Sequence, residues 1–143
     1  MGKKKNNISY KVRLLIFKEN RILLLHQTKK NGGNLTLVGG TVEANETPRR
    51  CLIRESIEEA GIILKPENLK LVHVLHKTTG KKRRVTLYFS TDHWDGFPHS
   101  REPQKFKRAA WYDYLNLPAK LTGTVRHVIQ EVQSKKLYSE FKK

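Results

Sequence analysis

The chain holds only 13 aspartates and glutamates against 29 lysines and arginines, and five of those acids (Glu43, Glu46, Glu55, Glu58, Glu59) fall between positions 43 and 59. A basic chain that gathers its carboxylates in one stretch is a candidate cation binder. Glu55, Glu58 and Glu59 stand at i, i+3 and i+4, so on a helix their side chains are neighbours. Clustered carboxylate oxygens suit hard divalent ions such as Mg²⁺ and Mn²⁺. Such ions neutralise a pyrophosphate, polarise its phosphorus and generate hydroxide from bound water. For the helix alone, an ordinary solvated acidic face is the plainer reading, because like charges at this spacing cost only about 0.2–0.5 kcal/mol per pair.

The element that must position these acids is a helix over 48–60. Thr47 suits the N-cap, Pro48 the first helical position and Gly61 the C-terminal stop. At about 100° per residue, Leu52, Ile53, Ser56, Ile57 and Ala60 form one broad stripe expected to face a sheet, with Glu55, Glu58 and Glu59 roughly opposite and Arg54 at their edge. Upstream, Ile8 to Lys18 reads as a strand, Glu19-Asn20 as a tight turn, and Arg21 to Gln27 as a second strand antiparallel to the first. A polar loop covers 28–34, and Leu35 to Glu43 is apolar around Gly39-Gly40, which suggests close backbone approach or a bulge. Downstream, Leu69 to Thr78 and Arg84 to His93 read as strands joined by a basic connection, and Lys81-Lys82-Arg83-Arg84 there reads equally as a phosphate contact or a solvated hairpin tip. A long loop spans 93–107, Arg108 to Tyr114 reads as a last strand, and 122–135 has helical periodicity in Val125, Val128, Ile129 and Val132.

The bulk numbers set the class. A chain of 143 residues favours one domain, expected over 8–143 after a basic tail over 1–7. The single cysteine, Cys51, rules out an intrachain disulfide and argues against a cysteine zinc site, as in a reducing cytoplasm. No apolar run approaches the ~18 residues of a membrane span. Met1 to Asn6 lacks the apolar centre of a signal peptide and the myristoylation pattern. A net charge of +16 suits polyanions such as nucleotides or RNA. Neither a monomer nor a dimer is favoured.

Gly40, then five residues, Glu46, then seven, then Arg54-Glu55-Ser56-Ile57-Glu58-Glu59-Ala60-Gly61-Ile62 resembles the Nudix box, G-x5-E-x7-R-E-U-x-E-E-x-G-U, where U is bulky and apolar. Every fixed position matches, and Ser56 at the first U position is the departure. Because Ser56 lies on the buried stripe, it reads as a packing change. Leu35-Thr36-Leu37-Val38-Gly39-Gly40 resembles the family's Trp-x-Leu-Pro-Gly-Gly more loosely.

The resemblance implies an α/β fold of the Nudix α/β/α sandwich kind, with a mixed sheet between the box helix and a C-terminal helix. It implies a MutT-like, divalent-metal-dependent hydrolase of nucleoside diphosphate-linked compounds, using Mg²⁺ or Mn²⁺, with two to three ions in the presence of substrate. Glu55 and Glu59 would be the principal metal ligands, Glu58 a further one, and the Gly39 carbonyl a backbone ligand. Arg54 would orient the carboxylates with Glu46 as its salt-bridge partner. The loop from Trp94 to Pro103 resembles the MutT-like loop that sends a glutamate back to the metals, making Glu102 the candidate ligand or general base. Its alternative is a surface carboxylate paired with Arg101 or Lys105.

A nucleoside triphosphate cleaved to monophosphate and pyrophosphate is the first substrate expected. Dinucleoside polyphosphates, nucleotide sugars, 5′-triphosphorylated RNA and a non-catalytic RNA-binding role are the alternatives. Cys51 reads as a buried small residue, and His73, His76 and His93 as strand residues. Trp111 is expected in the core, with Trp94 or Phe97 able to stack on a base.

Overall fold

The computed structural model describes residues 8–142; the basic stretch 1–7 expected as a tail lies outside them. Nine strands and two α-helices follow one another as β1 (Ile8–Leu14), β2 (Phe17–Lys18), β3 (Arg21–Gln27), β4 (Leu35–Thr36), β5 (Gly39–Thr41), α1 (Pro48–Ala60), β6 (Lys70–Thr79), β7 (Lys82–Ser90), β8 (Phe106–Asp113), α2 (Gly123–Gln133) and β9 (Tyr138–Lys142). Five strands form a mixed sheet in the order β5-β1-β7-β6-β9. In it β1 runs parallel to β7, and β9 parallel to β6. The second sheet centres on β3, which pairs antiparallel with β2, β4 and β8.

The strand expected over 8–18 is therefore two strands in two sheets. The chain leaves the first sheet at Leu15 and Ile16, whose amides and carbonyls bond Phe89 on one side and Leu23 on the other. Of these two, only β2 pairs antiparallel with β3; β1 is not its neighbour. A further strand, β9, follows the helix, so 108–114 is not the last.

The core has two parts, one on each side of the sheets. Val12, Leu14, Leu23, Leu25, Leu52 and Ala60 form the α1 side. Leu15, Ile22, Leu24, Leu75, Val128 and Ile129 form the α2 side. Adjacent residues of β3 thus enter opposite cores, which explains why Ile22–Leu25 is a continuous apolar run rather than an alternating one. The result is an α/β/α sandwich with α1 and α2 on opposite faces.

The helix signals act as expected. Thr47 accepts a hydrogen bond from the Arg50 amide (3.3 Å) through its hydroxyl. Gly61 closes α1 in the left-handed region (φ +66°), and the Ile62 amide bonds back to the Ser56 carbonyl. A buried polar chain ties β9 down. His73 Nδ1 lies 2.8 Å from the Lys136 carbonyl and its Nε2 2.8 Å from Ser139 Oγ, which is 3.0 Å from His127 Nε2.

Candidate active site

Arg54 is the hub of the acidic stretch. Its Nη2 and Nε donate to the two Glu46 oxygens at 2.8 and 3.1 Å, a bidentate pair. Its Nη1 donates to Glu55 Oε1 at 2.8 Å and to Glu58 Oε2 at 3.2 Å. These bonds hold the Glu46 carboxyl down to about 2. They also stabilise the Arg54 charge, chiefly through Glu46. The rigid fork of a guanidinium is what allows one residue to fix three carboxylates.

Glu59 does not sit with the exposed acids. It is 7% exposed, on the same side of α1 as Leu52 and Ser56, rather than opposite the buried stripe. At 100° per residue it falls only about 20° from Leu52, at the edge of the buried stripe that the sequence pattern sets it opposite. Its Oε1 accepts the Gly39 amide proton at 2.9 Å. Burial pushes its carboxyl up to about 8, opposed by that hydrogen bond and reinforced by Glu55. Burial raises the Glu55 carboxyl as well, against the pull of Arg54.

Two glycines allow the close packing here, Gly39 against β1 and Gly40 against Glu55. A β-carbon on Gly39 would lie 2.0 Å from the Val12 carbonyl oxygen, and one on Gly40 would lie 2.6 Å from the carboxyl carbon of Glu55. The expectation of close backbone approach at Gly39-Gly40 is met at both residues.

Glu102 lies on the loop that packs against the end of α1. The Arg101 amide bonds the Glu59 carbonyl and the His99 amide the Ala60 carbonyl. The carboxylate of Glu102 faces Lys105 (3.5 Å) and is near enough to Glu55 and Glu59 to raise both carboxyls. Among the described residues, no three His, Cys, Asp or Glu side chains converge closely enough to hold an ion. Glu55 and Glu58 are turned to Arg54, and Glu59 to the Gly39 amide. The donors at hand are nonetheless all hard oxygens, with a buried carboxylate whose charge lacks a full counterion. That set fits a divalent cation.

Sequence reasoning named Arg84 among cations able to meet phosphates but missed the cationic wall it belongs to. β1 sends Val12 and Leu14 toward α1 and Lys11 and Arg13 the other way, where they line an open cavity of about 400 Å³ with Lys77, Arg84, Thr86 and Tyr88. The first residues of α2 close its far wall. Arg13 Nη1 donates to the Leu37 carbonyl at 3.1 Å, and its side chain runs beside Gly39, where basic cavity and acidic cluster meet. Burial lowers the Lys11 ammonium to about 8, helped by Arg13 and Arg84 and opposed by Glu59 and Glu55. The signal available was two cations alternating with apolar residues inside a strand.

The remaining candidates have structural roles. Cys51 is buried, its thiol 3.4 Å from the Thr41 carbonyl and raised to about 12 by burial. Ser56 is fully buried and its hydroxyl has no hydrogen-bond partner. Trp94 packs on Trp111 with ring centroids 5.7 Å apart, while Phe97 is exposed. His73 and His76 lie on β6; His93 lies in the loop after β7. No helix among the described residues is long and apolar enough to cross a membrane.

Residues 9–132 match the NUDIX domain family, and the chain belongs to that family. Its fold is MutT-like. It resembles the MutT NUDIX hydrolase from Burkholderia pseudomallei with a TM-score of 0.78 and 26% identity, covering 87% of this chain and 98% of that one. The MutT protein from Methanosarcina mazei Go1 shares the fold at a TM-score of 0.76 and 18% identity, over 93% of this chain and 98% of that one. In sequence the chain is 32% identical over 118 residues to the NAD-capped RNA hydrolase NudC of Shigella dysenteriae serotype 1, covering 81% of this chain and 44% of that protein. It is 32% identical over 103 residues to the NudC of Klebsiella pneumoniae, covering 72% of this chain and 38% of that one. The chain therefore spans less than half the length of these curated relatives.

Proposed function

We propose that this Nudix domain is a divalent-metal-dependent pyrophosphohydrolase of nucleoside diphosphate-linked compounds. The observation that carries the reading is the meeting, at Gly39, of a carboxylate cluster held by Arg54 and a cavity lined by Lys11, Arg13, Lys77 and Arg84. One half suits cations and the other suits phosphates, so a phosphate anhydride can be held between them.

Glu55 and Glu59, with Glu58 and the Gly39 carbonyl, would hold Mg²⁺ or Mn²⁺, two to three ions with substrate. When bound, the ions supply Lewis-acid polarisation of phosphorus and a lowered water pKa. Arg54 positions the carboxylates and Glu46 fixes Arg54. Glu55 or Glu102 accepts the proton of the attacking water. Lys11, Arg13 and Arg84 offset the charge that develops on the phosphate oxygens.

A nucleoside triphosphate, cleaved to monophosphate and pyrophosphate, is the first substrate to test. The phosphorylated 5′ end of an RNA is the second, favoured by the likeness to the NudC proteins. A panel of nucleotides and 5′-modified RNAs, assayed with each metal, separates them. Glu59→Gln should abolish metal-dependent hydrolysis of every substrate while the folded state persists. A variant still active with Mg²⁺ and Mn²⁺ sinks the metal assignment.

A further inference from the structure

The cationic cavity does not end at the active site. Directly paired residues of neighbouring strands share a face, and every second residue of a strand returns to it. Ser9 pairs with Arg84 and Lys11 with Thr86 across β1 and β7, while Lys77 pairs with Arg84 and Thr79 with Lys82 across β6 and β7. Arg13, Lys11, Arg84, Lys77 and Lys82 therefore stand on one face of three adjacent strands. From the row of Arg13 and Tyr88 to Lys82 is six residues of β7, about 20 Å at strand rise.

Beyond the first cavity this face continues into an open groove of about 660 Å³ at the β6–β7 hairpin. Lys77 and Arg84 line both spaces, so the two adjoin; Lys82 on the same face is added at the outer end, and Arg83, which alternation turns toward the other face, lines the groove at the hairpin. Among the described residues, no carboxylate lies within ion-pair distance of Lys11, Arg13, Lys82, Arg83 or Arg84. Thr79 and Ser9 place hydroxyls along the floor.

We propose that this groove is a binding track for single-stranded RNA, which enters at the hairpin and leads its 5′ phosphates to the Gly39 end. Charge and length decide for a polynucleotide: the cations run along about 20 Å of one face, and the groove joins a cavity of about 400 Å³ beside the carboxylate cluster. A membrane surface would instead favour apolar residues beside the cations, and Ile8 is the one apolar residue among the described residues that line this groove. The inference rests on the Nudix reading for the direction of the strand, but the binding itself does not depend on hydrolysis.

The test uses the whole chain and a 5′-hydroxyl oligoribonucleotide of about ten nucleotides, which offers no terminal phosphate to the active site. Binding is measured across a salt series for the native chain, for Lys82→Ala/Arg83→Ala, and for Lys65→Ala/Lys70→Ala at the opposite end of β6. The hairpin variant should bind more weakly, and its log–log salt slope should fall by about 1.4, two phosphate contacts at about 0.7 each. Its hydrolysis of a free nucleoside triphosphate should be unchanged, and Lys82→Arg/Arg83→Lys should restore the slope.

Equal affinity and slope in the hairpin variant overturn the proposal. So does an equal fall in the Lys65→Ala/Lys70→Ala variant, which would mean diffuse charge, or a loss confined to anionic phosphatidylserine vesicles. If the native chain binds RNA as stated yet hydrolyses no phosphate anhydride, the track stands and the enzymatic reading fails.

Discussion

The two helices cover opposite faces of the same sheets, yet their buried surfaces differ in kind. α2 buries Val125, Val128 and Ile129, an apolar strip. α1 buries Cys51, Leu52, Ala60, an unpartnered Ser56 and the carboxylate of Glu59. A helix that served only stability would not keep a charge and an orphan hydroxyl against the core, since each carries a desolvation cost. α1 therefore sacrifices stability where α2 supplies it, and the sacrifice falls at the carboxylate beside Gly39. Strain and polarity tolerated in one element and absent from its counterpart locate the chemistry.

Substitutions can break that contrast. The largest effect should come from Glu59→Gln, whose loss of activity should exceed the roughly 100-fold expected when a residue supporting a ligand is removed. Its thermal melt, followed by circular dichroism, should hold level at neutral pH and rise relative to the native chain above about pH 8, where the native carboxyl carries its charge buried. Next is Ile129→Ala on α2, fully within the apolar strip. It should cost about 2–5 kcal/mol in denaturant unfolding, with turnover per folded molecule preserved. If Ile129→Ala instead removes activity at full stability, α2 is not the structural partner described.

Arg54→Lys comes third. Lysine keeps the charge but cannot hold Glu46 bidentately while reaching Glu55 and Glu58. Turnover or metal affinity should drop by about 10–100-fold, read from metal titrations of the rate.

The smallest effect is a pH slope. The Glu59 carboxyl is raised from 4.5 to about 8, so between those values the folded, metal-free protein binds more protons than the unfolded chain. This group's contribution to stability must then fall as pH rises through that window. Glu46, lowered to about 2, acts in the opposite sense: its contribution is lost as pH falls from 4.5 toward 2. Melts in chelator should lose the neutral-range slope in Glu59→Gln. An identical slope in native and variant proteins would remove Glu59 from this account.

Much of α1 was legible because its signals are local. Thr47, Pro48 and Gly61 act within a few residues of themselves, and the box spacing names the acids. What escaped depends on partners distant in sequence. The break at Leu15 and Ile16 exists because the chain passes between two sheets, and nothing in a run of apolar residues announces that passage. The sequence of β9, Tyr-Ser-Glu-Phe-Lys, is short and polar, and it becomes a strand by pairing with β6. Lys11 and Arg13 could be read as strand residues, but their shared cavity with Arg84 and Lys77 needs β7 and β6 alongside. Glu59 shows a subtler limit: it lies at the border between two stripes, and packing decides which one owns it.

The polar chain behind β9 has a consequence for motion. The Lys136 carbonyl can only accept, so a neutral His73 must carry its proton on Nδ1 and leave Nε2 bare. Ser139 then donates to that nitrogen, and its oxygen accepts from His127 Nε2. Every proton along the chain has one permitted place, and the two bonds to Ser139 must part together if β9 lifts away. A short edge strand with a single neighbour would ordinarily be among the first to open. Here Ser139 is held by β6 and α2 at once, so the β9 amides that face β6 should exchange more slowly than those on its open edge, as hydrogen exchange would read.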